Sequence, residues 1–198
     1  MNKLYIYVVL AIVFAGCVSS TNNVQTTTEE TSEERIPRLI QIMHLSKGQD
    51  YWRLCQEIID YGDEALVHLG KNITSFSPKV RTGCMYCIAR IYKNNQSQEA
   101  LELKENIYKR LEDTVDFVQL EAAASLCDMD DYRGVPVLIG IGLRNNNMGI
   151  RFRSQQTLRS VFKMNFNYRY NVSQKDREAG INRWEKWWED NKGKYVKI

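Results

Sequence analysis

A pattern of paired helical stretches returns three times along this chain, and it limits the fold more than any other feature. Val80-Arg81, Val118-Gln119 and Ile150-Arg151 each open a similar stretch. Four residues on stands a small residue, Cys84, Ala122 or Ser154. At positions seven and eight comes a small-then-aliphatic pair, Cys87-Ile88, Ser125-Leu126 or Thr157-Leu158. The starts lie 38 and 32 residues apart, a spacing typical of stacked helix pairs. One such pair cannot bury its apolar face alone, so neighbours must stack. The chain is therefore expected to be all-α: a short α-solenoid of about three to four antiparallel helix pairs. Arrays of this kind bind along a surface and seldom do chemistry.

Local signals divide the array. Ile36 to Lys47 reads as a first capping helix, and Tyr51–Tyr61 with Asp63–Gly70 as the first pair, stopped at Gly62 and Gly70. Ser77-Pro78 is an N-cap followed by proline at the first helical position. The next helix should bury Val80, Cys84, Cys87, Ile88 and Ile91 on a 3–4 spacing. Ser97 should cap its partner, whose face is Ala100, Leu103, Ile107 and Leu111. The third pair is expected over 115–129 and 134–143, with Pro136 in a first turn where its missing N–H costs nothing. The last is expected over 148–163 and 173–191, opened by Ser173 and Asp176 in a variant capping box. Ile181, Trp184 and Trp188 form one stripe of the final helix, and charged residues fill the other. That is the polar outer face a terminal repeat requires.

These residues resemble HEAT repeats, in particular the short bacterial class first named for phycobilisome lyases. The resemblance covers about residues 50 to 192 and is sharpest from Val118 to Arg159. There, LEAAASLCDMDDYRGVPVLIGIGL matches a small-residue helix, an acidic turn and a second helix of V-P-x-L-I type. The resemblance implies a right-handed stack of helix pairs with a binding or scaffolding role, although fold alone does not fix function. The family often pairs an Asp after one helix with an Arg at the start of the next repeat. Here Asp113 faces a Gln119 position, and Arg151 faces Asn145, so both pairs are half missing.

Residues 4–16 are apolar apart from two Tyr hydroxyls and number only 13. A membrane-spanning helix needs roughly 20 residues, a signal-peptide core about 7–15. The run ends in Phe14-Ala15-Gly16-Cys17, which resembles a bacterial lipobox with Phe in place of the usual Leu. The resemblance implies that residues 1–16 are removed and that Cys17 is lipidated; an uncleaved anchor or an ordinary secretory signal are the alternatives. The Ser-, Thr- and Glu-rich stretch after Cys17 has too few bulky apolar residues to fold, so 17–36 is expected to be a disordered tether. Residues 37–198 would then be the repeat domain.

The formal charge of +3 is bland, but its distribution is not. From Tyr132 to Lys175 there is no Asp or Glu, while eight basic residues occur. Arg151, Arg153, Arg159, Lys163 and Arg169, interleaved with Tyr168 and Tyr170, are the candidate binding residues, since Arg suits bidentate contact with carboxylate or phosphate. Four cysteines remain after Cys17. Cys84 and Cys87 fall on an apolar stripe, and a single CxxC is weak evidence for metal. A packed core is expected, with a disulfide as the alternative.

No paired-carboxylate, P-loop or Gly-x-Ser-x-Gly motif occurs, and His44 and His68 lack ligand-spaced neighbours. The expected function is a membrane-anchored, non-enzymatic, monomeric module in the cell envelope that binds another envelope protein, without cofactor, metal or nucleic acid. The alternatives are an anionic ligand, such as a phospholipid headgroup or acidic glycan, held by the basic last repeat, or an enzyme-assembly factor.

Overall fold

Side-chain oxygens set the starts of four helices. The computed structural model describes residues 30–196. Ser77 Oγ accepts from Val80 N–H at the start of α4 (Pro78–Asn95), and Ser97 Oγ accepts from Ala100 N–H at α5 (Gln98–Glu102). Asn147 Oδ1 accepts from the Gly149 and Ile150 amides at α9 (Met148–Phe162). Ser173 Oγ accepts from the Asp176 amide at α10 (Gln174–Asn191). Each removes an orphan donor of a first turn. Gln96 and Lys163, with φ of 53° and 58°, end α4 and α9 in the left-handed region.

The remaining elements are α1 (Ser32–Ile42), α2 (Gly48–Asp60), α3 (Leu66–Asn72), α6 (Lys104–Tyr108), α7 (Asp116–Asp128) and α8 (Val135–Val137). Among the described residues, all regular structure is helical. The partner expected from Ser97 to Leu111 is broken into α5, α6 and a 3-10 turn at Lys109–Glu112. The partner expected over 134–143 runs from a 3-10 turn through α8 into a π-type turn at Leu138–Gly142.

The helices α2, α4, α7 and α9 touch in that order and lie side by side. Against them pack α3 on α4, α6 on α7, and the π-type turn on α7 and α9, while α10 closes the far end against that turn. The core has two parts, and α7 serves both. Val118, Ala122 and Leu126 join the first; Leu120, Ala123, Ala124 and Cys127 join the second. A helix buried nearly all round needs small residues where neighbours approach. A Cβ on Gly134 would lie 2.6 Å from Ala123 Cα, and one on Gly142 2.2 Å from Ser154 Oγ. These glycines let the second layer seat on α7 and α9. At the far end Trp184, Trp188 and Phe162 are buried and packed ring to ring, with Phe166, Trp187 and Tyr195 around them.

The expected tether is too long at its C-terminal end. Helix starts at Ser32, because Thr31 N–H and Oγ–H both donate to the Glu34 carboxylate at 3.2 Å. Ile36, Leu39, Ile40 and Met43 then bury one face, and Pro37 lies inside the helix. The expected signal segment and Cys17 lie outside the described residues. No helix among the described residues is long and apolar enough to cross a membrane.

Candidate functional site: a groove across four helices

Helical spacing aligns an outward stripe on each first helix. On α4 it carries Lys79, Thr82, Tyr86, Arg90 and Lys93; on α7, Phe117, Glu121 and Asp128; on α9, Ile150 and Arg153. With Trp52 of α2 these stripes bound a cleft of about 400 Å³, walled chiefly by Trp52, Phe117, Leu120 and Ile150, with Glu121 and Arg153 opening onto it. Trp52 is 54% exposed and Phe117 42%. Trp52 is held edge-on between Tyr51 and Tyr86, with ring centroids 5.3 and 5.2 Å away. Exposed aromatic rings fixed by neighbours lose little entropy when a ligand covers them.

The polar end of the groove is a chain of charges. Arg153 Nη2 donates to Glu121 Oε1 at 3.1 Å and lies 3.7 Å from Asp128 Oδ2. Lys93 Nζ reaches the other oxygen of Asp128 at 3.5 Å. Burial pushes the Glu121 carboxyl above its usual range, and Arg153 offsets part of that push. The neighbouring Glu121 carboxylate in turn raises Arg153. The guanidinium is not used up. Nη2 carries all its contacts with acids among the described residues, leaving Nε and Nη1 without a protein partner, and the side chain is 41% exposed. Arg90, over the Tyr86 ring at 5.6 Å, makes no ion pair among the described residues.

The candidate residues of the last repeat do not form one site. Arg153 lines the cleft. Arg151 is buried and turns back on its own chain: Nη1 donates to the carbonyls of Asn145 and Asn146 at 2.8 Å, and Nε to Tyr170 O at 2.7 Å. It therefore does not lack a partner. Tyr168 is fully buried, its hydroxyl donating to Leu143 O at 2.7 Å, and burial lifts its pKa to about 12. It is a core residue and presents nothing to a ligand. Tyr170 is half-buried against Phe152, 5.0 Å away. Arg159, Lys163 and Arg169 are exposed and make no ion pair among the described residues.

A similar backward latch recurs at the starts of α4, α7 and α10. Arg81 Nη1 donates to Ser75 and Phe76 carbonyls, Gln119 Nε2 to Asp113 O, and Arg177 Nη1 to Val172 O. Asp113 does have basic partners, but they are Arg81 and Arg110 rather than residue 119. The acid-free stretch is partly neutralised by the fold, with Arg159, Lys163 and Arg169 left as its exposed cations. Arg133 pairs with Asp131 and Glu105, Arg144 with Glu178 and Glu185, and Arg153 with Glu121, so acids before and after the stretch fold onto it.

Sequence reasoning missed Trp52, Tyr86, Phe117 and Glu121. Their one signal was helical spacing opposite the small-residue stripe, at positions that a packed helix leaves outward. The cysteines Cys55, Cys84, Cys87 and Cys127 are free and buried, and burial raises the thiols of Cys84, Cys87 and Cys127. Asp131 caps a turn through the Arg133 amide, and His68 lies 3.2 Å from Glu33. No cluster of three or more metal-ligating side chains occurs among the described residues. Compared with known proteins, the chain matches no family, no curated protein and no solved structure.

Proposed function

We propose that this chain is a membrane-anchored, non-enzymatic interaction module that binds another envelope protein. In this proposal residues 1–16 are removed, Cys17 carries the lipid, and the helix pairs form a short HEAT-like α-solenoid acting as a monomer. The observation that carries the binding function is the groove: Trp52 and Phe117 stand exposed over an apolar cleft of about 400 Å³ beside the open edge of Arg153. Pockets of roughly 300–1,000 Å³ with a few converging polar groups are the usual form of a binding site. Rigid exposed aromatics beside an arginine are the side chains that most often dominate protein interfaces.

The test is photo-crosslinking in cells from position 52, with the native N-terminus retained and Val67, exposed on α3, as the control position. A discrete protein adduct from position 52 and none from 67 supports the proposal. Adducts to lipid or glycan alone, or catalytic turnover by the purified chain, would sink it.

A second function is supported by Arg159, Lys163 and Arg169, whose exposed cations meet no acid among the described residues. They could hold an anionic headgroup or glycan, since each cation near an anionic membrane surface adds about 1 kcal/mol of attraction. Salt-sensitive binding to anionic vesicles that is lost when the three become Gln would support it; binding that ignores salt would not.

A further inference from the structure

The chemistry of the partner segment can be taken further, on the premise that the groove holds a protein. The groove has two unlike halves. One is apolar and shaped for a single bulky side chain, between Trp52, Phe117 and Ile150. The other is charged, and its charges do not cancel. Arg90, Lys93 and Arg153 lie along it against Glu121 and Asp128, an excess of one positive charge, while Lys79 stands at the other end over the Tyr51 ring and donates to Ser46 O. Both acids are already engaged by Arg153 and Lys93, while Arg90 and the Nη1 amino group of Arg153 are not.

We propose that this face takes an extended acidic segment of the partner, with one bulky apolar side chain seated in the cleft and a carboxylate beside it accepting from Arg153 Nη1. The Nη1 amino group has two N–H donors and no protein partner, so a carboxylate there gains a charge-assisted hydrogen bond, about twice as strong as a neutral one. A second acid then meets Arg90. Arg90 lies one turn beyond Tyr86, about 6 Å along α4, which an extended strand covers in about two residues at ~3.3 Å each. The predicted pattern is therefore an aromatic or large aliphatic residue with acids next to it and two residues away. A basic segment would meet the uncancelled positive charge, and a neutral one would leave Arg90 unused.

Fluorescence anisotropy on the full-length chain in detergent tests this with three labelled peptides. One has a phenylalanine flanked by aspartates, the second has asparagine for each aspartate, and the third has alanine for the phenylalanine. The first should bind about tenfold more tightly than either twin, a difference of about 1.4 kcal/mol. Trp52→Ala and Arg90→Gln should each cut that preference severalfold. Both side chains are outside the core, and circular dichroism verifies that the variants fold. Raising salt should weaken the first peptide and spare the asparagine twin. Equal affinity for the asparagine twin, or no binding of any peptide by the folded chain, overturns the proposal, as does preferential binding of anionic lipid vesicles through Arg90. If the position-52 crosslink still captures a protein while the acidic peptide fails, the segment chemistry is wrong and the interaction function stands. If no protein crosslinks there, the interaction function itself falls.

Discussion

Arg81 reaches across 32 residues to Asp113, Nη2 to Oδ1 at 2.7 Å, and this pair ties the start of α4 to the loop before α7. Both side chains are nearly inaccessible, 10% and 4% exposed. The acid also accepts from the Val115 amide at 3.2 Å, so one carboxylate fixes the start of α7 against α4. Removing one member of a buried pair leaves the other charge without compensation, at about 3–5 kcal/mol. Asp113→Ala should therefore lower unfolding free energy by about that amount in urea titrations. Asn145→Asp, which puts an acid before α9 where Asp113 stands before α7, should change it by less than about 1 kcal/mol, because the desolvation of a buried acid offsets most of its attraction to Arg151. Arg151 Nε already has Tyr170 O. A large gain from Asn145→Asp would show that the carbonyl latch does not replace an acid.

Glu121 makes stability depend on pH in a set direction. Burial raises its folded-state pKa above the ordinary carboxylate value. Folding therefore favours the protonated form, and the associated stability is complete below the ordinary carboxylate range and lost as pH rises through the folded value. Glu121→Gln has no proton to lose there. Thermal midpoints of the wild type relative to Glu121→Gln should fall as pH rises through that window. Parallel curves for the two proteins would refute the assignment.

Cys55, Cys84, Cys87 and Cys127 should resist a thiol reagent in the native protein and react in guanidinium. Burial keeps three of the thiols protonated, and Cys87 Sγ–H also donates to Cys55 O at 3.6 Å. Native reactivity at any of the four would revive an enzyme-assembly role. A precursor in which Cys17 is not lipidated should show one additional fast thiol, and intact mass distinguishes the two forms.

Tyr168→Phe removes the donor to Leu143 O inside the second core cluster. Leaving a buried carbonyl unpaired costs about 1–3 kcal/mol, read as a lower denaturant midpoint. Partner or headgroup binding should not change, because the side chain has no exposed surface. A binding loss at unchanged stability would place Tyr168 back in a site.

Gly134→Ala puts a methyl 2.9 Å from Ala123 Cβ and closer still to its Cα, where backbone cannot yield as a side-chain end would. Overpacking of this kind costs about 1–3 kcal/mol. Gly140→Ala, whose added methyl meets nothing within 4 Å, serves as the tolerant control. Equal effects at the two positions would remove the packing explanation.

Helix class, the starts of α4, α5, α9 and α10, and most of the core were legible in the sequence because each rests on local chemistry. A hydroxyl or amide two or three residues from an amide caps a helix, and apolar residues at 3–4 spacing make a face. What needed the tertiary structure was which charges meet. Arg153 with Glu121, Arg144 with Glu185 and Arg81 with Asp113 are each separated by more than thirty residues. Such pairs form only because neighbouring helices are brought side by side, and a one-dimensional run of arginines therefore misstates the surface. Arg151 and Tyr168 looked like ligands by residue type, yet the fold spends them on carbonyls of its own loops. The groove arises the same way: Trp52, Phe117 and Ile150 come from three helices, and packing alone decides that their outward sides enclose a cleft.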